Sequence, residues 1–329
     1  MIVSAWIVCL GLVLLGLVLG GLALFSAWTA RQVEKAVPPL GRFIEVDGSR
    51  IHYLDEGSGP PILFIHGLAG QMRNFTHSLL ERLKNDYRVV ILDRPGSGYS
   101  TRPPHASATI GAQAATISRF AEALGLKQPL VVGHSLGGAI ALALAMNHPE
   151  QVNRLALIAP VTRRPDKVPA VFKGLAIASP LVRRLVAWTV AVPLSIKNRD
   201  AALGSLFGPQ PVTRDFATKG GGLLFLRPKN FIGASCDLVA PREDLEAMQE
   251  RYAGLKIPVG VLYGTDDGIL ETTAHCEALA SKLPGADFEL IEGGGHMILI
   301  SSADRAAKFI ARMAQRAANE LRSADCEMT

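Results

Sequence analysis

Hydrophobic positions along the chain follow three rhythms, and each predicts a different element. From Ile2 to Trp28 nearly every side chain is apolar, and only Ser4 and Ser26 interrupt the run ahead of the Trp28 indole. At about 1.5 Å per residue, a helix over this stretch exceeds the roughly 30 Å hydrocarbon thickness of a bilayer. Short apolar runs of strand length follow, at Ile62 to Ile65, Tyr87 to Leu92, Pro129 to Val132, Leu155 to Ile158, Pro258 to Tyr263 and Phe288 to Ile291. Between them the period changes to that of an amphipathic helix. Ile110, Ala114, Ile117, Ala121 and Leu124 make one apolar face, Ala306, Phe309, Ile310, Met313 and Ala317 another, and Glu271 to Leu283 is also helix-like. Near the start, Phe43 to Val46 and Ile51 to Leu54 flank Asp47-Gly48, which predicts an antiparallel hairpin. Strands alternating with helices predict an α/β protein with a mostly parallel sheet.

Candidate chemistry sits at the ends of the predicted strands. Gly133-His134-Ser135-Leu136-Gly137 joins the strand ending at Val132 to the apolar run Ala139 to Met146. This is the G-x-S-x-G nucleophile elbow in strand-turn-helix context, which holds a serine exposed above the sheet. A serine hydroxyl is a poor nucleophile, so it needs a histidine base and an acid that orients the base, in the chain order Ser, Asp, His. Past the strand ending at Tyr263 comes Gly264-Thr265-Asp266-Asp267-Gly268, where either aspartate fits. Past Ile291 comes Glu292-Gly293-Gly294-Gly295-His296, a glycine loop that delivers His296 over the sheet edge.

With His66-Gly67 after the strand at Ile62 to Ile65, and Asp93-Arg94-Pro95-Gly96-Ser97-Gly98-Tyr99-Ser100 after Leu92, five motifs stand in order. The chain resembles the α/β-hydrolase superfamily, from about Arg42 to Leu321. The resemblance implies an α/β-hydrolase fold, with a mostly parallel central sheet flanked by helices and a helical cap insertion. It implies Asp267 as the acid, with Asp266 the runner-up. It places Leu68 and Leu136 so that their backbone N-H groups form the oxyanion hole. His66 is read as a loop-bracing histidine, and Asp93 to Ser100 as a structural turn, since no phosphate-binding G-x-x-x-x-G-K-[ST] pattern is present. His134 and His148 are read as structural, and His52, His77, His105 and His275 lie outside any motif.

The expected organisation is a transmembrane anchor over 1–30, a linker over 31–41, the first part of the core over 42–160, a cap over 161–250, the second part over 251–322 and a tail over 323–329. A secretory signal peptide is the rival reading of the first segment, but no Lys or Arg precedes Ile7 and no Ala-x-Ala site closes it. Gly16 and Gly20 have the G-x-x-x-G spacing of some helix pairs, although glycines are common in apolar spans. Arg31, Lys35 and Arg42 follow the span and nothing basic precedes it, so the positive-inside rule predicts a single-pass membrane protein with its catalytic domain on the cytoplasmic side.

The cap carries the clue to substrate. It is strongly apolar from Leu175 to Val190, yet Arg163, Arg164, Lys167, Lys173, Arg183, Arg184, Lys197 and Arg199 face only Asp166 before Asp200. That suits an interfacial segment with cations for anionic head groups, and equally a cap that buries its apolar face on the core. The net charge of +5 raises the question of nucleic acid, but no binding motif supports it. Cys9, Cys236, Cys276 and Cys326 lack metal spacing and a disulfide framework, so neither a metal nor another cofactor is expected. The expected activity is hydrolysis of carboxylic esters of hydrophobic, lipid-like substrates through an acyl-serine, with Ser135, His296 and Asp267 as the triad. The anchored layout resembles that of membrane-bound monoacylglycerol lipases. The same triad also serves carbon-carbon bond hydrolases, thioesterases and cofactor-free haloperoxidases, and some members of the fold are slow-turnover ligand sensors.

Overall fold

The computed structural model describes residues 2–240 and 243–327, without side-chain detail at residues 2–3, 243–244 and 316–327. Met1, residues 241–242 of the expected cap and residues 328–329 of the expected tail lie outside the described residues.

Eight strands form one sheet: β1 (Arg42–Val46), β2 (Ser49–Glu56), β3 (Pro61–Ile65), β4 (Arg88–Leu92), β5 (Leu130–His134), β6 (Arg154–Ile158), β7 (Val259–Gly264) and β8 (Asp287–Ile291). Their order is β1-β2-β4-β3-β5-β6-β7-β8. β2 runs antiparallel to β1 and β4, and every pairing from β4 to β8 is parallel. The hairpin between β1 and β2 turns at Asp47 and Gly48, with φ of 49° and 71°. Positive φ at both central residues is the geometry that matches the strand twist.

The strands read as nearly continuous apolar runs because both faces are covered. On one face Leu63, Ile65, Val90, Leu92 and Val131 pack with side chains of the helices Ile110–Ala123 and Leu136–Asn147. On the other, Ile62, Phe64, Val89, Ile91 and Val132 pack with Phe309, Ile310 and Met313 of the helix Ala303–Glu327. Leu136–Asn147 is apolar nearly all round because it lies between the sheet and other helices, with Gly137 to Ala145 buried.

The first helix, Ile2–Ala36, runs through Arg31 and Lys35 before the chain enters β1. From Ser4 it is long and apolar enough to cross a membrane. Between β6 and β7 stand the helices Pro180–Trp188, Ala191–Lys197, Arg199–Phe207, Pro228–Val239 and Glu243–Arg251. Leu175, Ala187, Ala191, Phe231, Ala234 and Leu238 form a small core of the cap's own. Leu245 and Met248 instead join the core beneath the sheet. Arg183, expected among the exposed cap cations, is buried: its guanidinium donates to Ser235 Oγ at 2.9 Å and to Ile177 O at 2.7 Å.

Candidate active site

Ser135 stands alone between β5 and the helix Leu136–Asn147, at φ 54° and ψ −121°. A non-glycine residue at positive φ is strained, so the surroundings must hold it there. They do: Ser135 N donates to Ile158 O at 3.1 Å, while Ser135 O accepts from Gly138 N at 2.9 Å and Val161 N at 3.0 Å. The flanking glycines are needed for close backbone approach. A Cβ on Gly133 would stand 2.7 Å from Gly138 Cα, and one on Gly137 would stand 2.1 Å from Ile65 O.

His296 is delivered by the loop after β8, which is pinned where Asp266 N donates to Gly294 O at 2.9 Å and Gly295 N to Gln210 Oε1 at 2.8 Å. Its Nδ1 lies 2.7 Å from Asp267 Oδ2. Asp267 Oδ1 accepts in turn from Ile269 N at 2.8 Å and Leu270 N at 3.0 Å. Burial raises the Asp267 pKa, but His296 and the two amides outweigh it and hold the carboxyl below its usual range. The ionised Asp267 therefore accepts from His296 Nδ1-H, which leaves Nε2 as the acceptor nitrogen. Asp266 is exposed, and its carboxylate takes a hydrogen bond from Thr265 Oγ1 at 2.9 Å. Ser135 Oγ makes no hydrogen bond among the described residues.

His134 braces the site from behind. Its ring packs 5.0 Å from that of His296, and its Nε2 donates to His296 O at 3.2 Å. Burial, reinforced by the neighbouring His296, pushes the His134 pKa down to about 3, so it is neutral.

Leu68 and Leu136 both line the cleft that Ser135 faces. Leu136 N is the first amide of its helix, without an intrahelical acceptor. Leu68 follows a tightly held loop. His66 Nδ1 donates to Gly67 O at 2.8 Å, and its Nε2 accepts from Arg94 N at 3.0 Å. Burial first, and Arg94 second, push the His66 pKa down to about 3, which keeps that neutral tautomer. Arg94, wholly buried, donates through Nε to His66 O at 2.8 Å and through Nη2 to Gly67 O at 2.9 Å.

The charge of Arg94 is balanced from the cap. Asp237, on the helix Pro228–Val239, accepts from Arg94 at 2.8 Å and from Arg102 at 2.7 Å. Gln113 also accepts from Arg94. The motifs assign no role to Arg94 or Asp237. A signal for the pair lies in Phe231 to Val239, where Asp237 is the only charge in an apolar helical stretch and therefore needs a buried cationic partner.

The cleft lies between cap and core and opens to solvent. Ser135, Leu68 and Leu136 meet Phe172 and Leu238 of the cap there, with Asp237 and Gln113 as polar exceptions. Among the described residues, no three His, Cys, Asp or Glu side chains are placed to hold a metal ion.

Comparison with known proteins agrees with this architecture. The family model for the alpha/beta hydrolase fold matches residues 60–303. Over 270 residues the chain is 31% identical to the dihydrolipoyllysine-residue acetyltransferase component of the acetoin cleaving system of Cupriavidus necator. That match covers 80% of this chain and 66% of the relative, so the chain spans just under two thirds of that relative's length. It is 28% identical to 2-hydroxymuconate semialdehyde hydrolase of Pseudomonas putida, covering 83% of this chain and 93% of that one. Among solved structures, a membrane phospholipase A described as a bacterial virulence factor superposes with TM-score 0.64 at 26% identity, covering 94% of this chain and 98% of that one. The sheet order, the strained Ser135 turn and the family match over residues 60–303 make the chain a member of the α/β-hydrolase family.

Proposed function

We propose that this protein is a membrane-anchored serine hydrolase that cleaves carboxylic esters with hydrophobic acyl groups. The observation that carries the reading is the apolar cleft over Ser135, floored by Leu68 and Leu136 and walled by Phe172 and Leu238 of the cap. An acyl chain fits such a lining, and the two backbone amides beside the serine face the place where carbonyl oxygen charge develops.

In the proposed reaction, Ser135 Oγ attacks the ester carbonyl carbon while His296 Nε2 takes its proton. Asp267 holds the imidazole in the Nδ1-H tautomer and stabilises it once it is charged. The N-H groups of Leu68 and Leu136 donate to the oxyanion. Collapse breaks the ester C-O bond, and His296 returns the proton to the departing alcohol oxygen. Water then attacks the acyl-serine by the same route, which releases the acid and restores Ser135.

The helix Ile2–Ala36 supplies the anchor in this reading. Arg31 and Lys35 near its far end, with Arg42 at the start of β1, support a cytoplasmic catalytic domain in this reading. The likeness to a membrane phospholipase A over 94% of the chain supports a lipid substrate. A second reading is carbon-carbon bond hydrolysis, favoured by the likeness to the semialdehyde hydrolase over 93% of its length.

An ester ladder from acetyl to oleoyl, including monoacylglycerols, separates the two when run on detergent-solubilised protein against Ser135→Ala. Serine-dependent rates that rise with chain length support the lipid reading. Activity confined to acetyl and butyryl esters, or none at all, overturns it.

A further inference from the structure

Exposed apolar side chains are distributed very unevenly over this molecule. Outside the helix Ile2–Ala36, the described residues hold seven large exposed hydrophobics, and six of them fall between residues 181 and 196: Leu181, Val182, Leu185, Val190, Leu194 and Ile196. The seventh, Leu290, is on the edge strand β8. Leu181 is 82% exposed, which on a helix with a separate buried face is costly unless something covers it. The inner side of the same segment is well packed, with Arg183, Ala187, Ala191 and Val192 buried. The cap segment Pro180–Lys197 is therefore apolar on both sides, and only one side has a partner within the chain.

The first helix fixes where the other side lies, on the reading that this helix spans a membrane. A span needs about 20 apolar residues. Counted from Ser4, that places the far boundary of the hydrocarbon near Leu24 and Phe25. Phe25 and Trp28 stand there with their rings exposed, where interfacial aromatics belong. At this level the helix meets the cap: Ser26 Oγ donates to Thr189 O at 3.4 Å. Beyond it the helix is held firmly. Val33 and Val37 are buried against Leu224, and Glu34 pairs with Arg227 at 2.9 Å. Thr189 joins the helix Pro180–Trp188 to Ala191–Lys197, so this contact brings the turn between the two helices to the level of the membrane boundary.

Charge agrees with that placement. Arg184 and Lys197 in the segment, and Lys173 just before it, are exposed and make no ion pair among the described residues. Exposed apolar side chains interleaved with unpaired cations are the pattern of a helix that lies in a bilayer interface.

We infer that the outer face of Pro180–Lys197 is seated in the interfacial layer of the bilayer beside the anchor, with Leu181, Leu185 and Leu194 inserted among the upper acyl carbons. The occupant of this face is lipid. A second copy of the chain or a partner protein would leave the same side chains out of contact with acyl chains. Ala187 and Ala191 on the segment's inner face share a small core with Leu238, which lines the cleft, so the membrane-facing segment adjoins the wall of the site and substrate would reach Ser135 from the adjoining leaflet.

The test uses the full-length protein in phosphatidylcholine nanodiscs, with its four native cysteines replaced by serine. Leu181→Cys, Leu185→Cys, Leu194→Cys and Leu290→Cys are each labelled with an environment-sensitive fluorophore, and chain-brominated phosphatidylcholine serves as quencher. The expected result is loss of most emission at positions 181, 185 and 194, with emission at 290 unchanged. Emission at 181 and 194 as insensitive to brominated lipid as at 290 overturns the inference, whether the face is then open to water or covered by protein. This readout does not depend on catalysis, so failure of the ester-hydrolase reading would leave it standing. Circular dichroism and the thermal unfolding midpoint of each labelled variant report that the domain remains folded.

Discussion

Arg94 Nη2 donates to the Gly67 carbonyl oxygen at 2.9 Å, and so fixes the peptide plane whose other end is the N-H of Leu68. In a trans peptide the C=O and N-H point in opposite directions. A carbonyl turned toward the buried guanidinium therefore turns the Leu68 amide away from it, as the proposed oxyanion role of that amide requires. His66 Nδ1 reinforces this from the same carbonyl at 2.8 Å.

Replacing Arg94 with lysine keeps the positive charge and loses the forked geometry. In the proposed reaction Arg94→Lys should lower kcat for a short soluble ester by about 10- to 100-fold, because it would loosen the Leu68 oxyanion donor rather than remove it. KM should stay within a few-fold of the parent value. Steady-state kinetics at constant pH check this, and a change confined to KM would show that Arg94 acts on substrate binding alone.

Asp237 is enclosed between Arg94 and Arg102, with no exposed side-chain surface. Removing its charge leaves two guanidinium groups facing a neutral amide. A broken buried ion pair typically costs about 3–5 kcal/mol. Asp237→Asn should therefore lower the midpoint of thermal unfolding clearly. Arg164→Ala, which deletes an exposed pair with Glu246, should leave the midpoint almost unchanged.

Three buried histidines make stability pH-dependent in one direction. His66 and His134 are pushed down to about 3 and His275 to about 4, in each case chiefly by burial. Unfolded, each titrates near 6.5. Between those values the unfolded chain binds more protons than the folded one, so stability falls as pH falls. The loss begins below about pH 6.5 and amounts to as much as about 1.4 kcal/mol per pH unit for each histidine until its folded pKa is reached. Denaturant titrations at pH 7 and pH 5 measure it. His275→Gln should flatten the slope, and an unchanged slope would show that His275 is not titrating on unfolding.

The two adjacent aspartates should behave very differently. Asp267 meets His296 and two amides, whereas Asp266 meets only Thr265 and solvent. Asp267→Asn should lower kcat by about 10⁴-fold, since an amide there favours the wrong imidazole tautomer. Asp266→Asn should retain most of the activity.

Much of this architecture is legible in the sequence because it is local. The strands show as short apolar runs, the hairpin as Asp47-Gly48, and the Ser135 turn as glycines where backbones must touch. Which aspartate meets His296 is not legible from the strand pattern, where either fits, and it is the family resemblance that implies Asp267, because neighbouring side chains at a strand end point in different directions. The cap cations mislead for a related reason: charge counting treats Arg183 like Arg184, yet Arg183 is buried on Ser235 while Arg184 faces outward. The bracing of Gly67 by Arg94, and of Arg94 by Asp237, joins residues 27 and 143 positions apart. No window of sequence contains both partners. The first helix continues past Trp28 because packing of Val33 and Val37 on Leu224 sustains it where apolarity ends.

The proposed chemistry rests on Ser135 as the nucleophile. The most direct measurement is to react the detergent-solubilised protein with a fluorophosphonate that carries an alkyl chain, and to locate the adduct by peptide mass spectrometry. A single stoichiometric adduct on Ser135 is expected, absent in Ser135→Ala and slowed strongly in His296→Ala. An unlabelled Ser135 in folded protein, or a label on another residue, would contradict it.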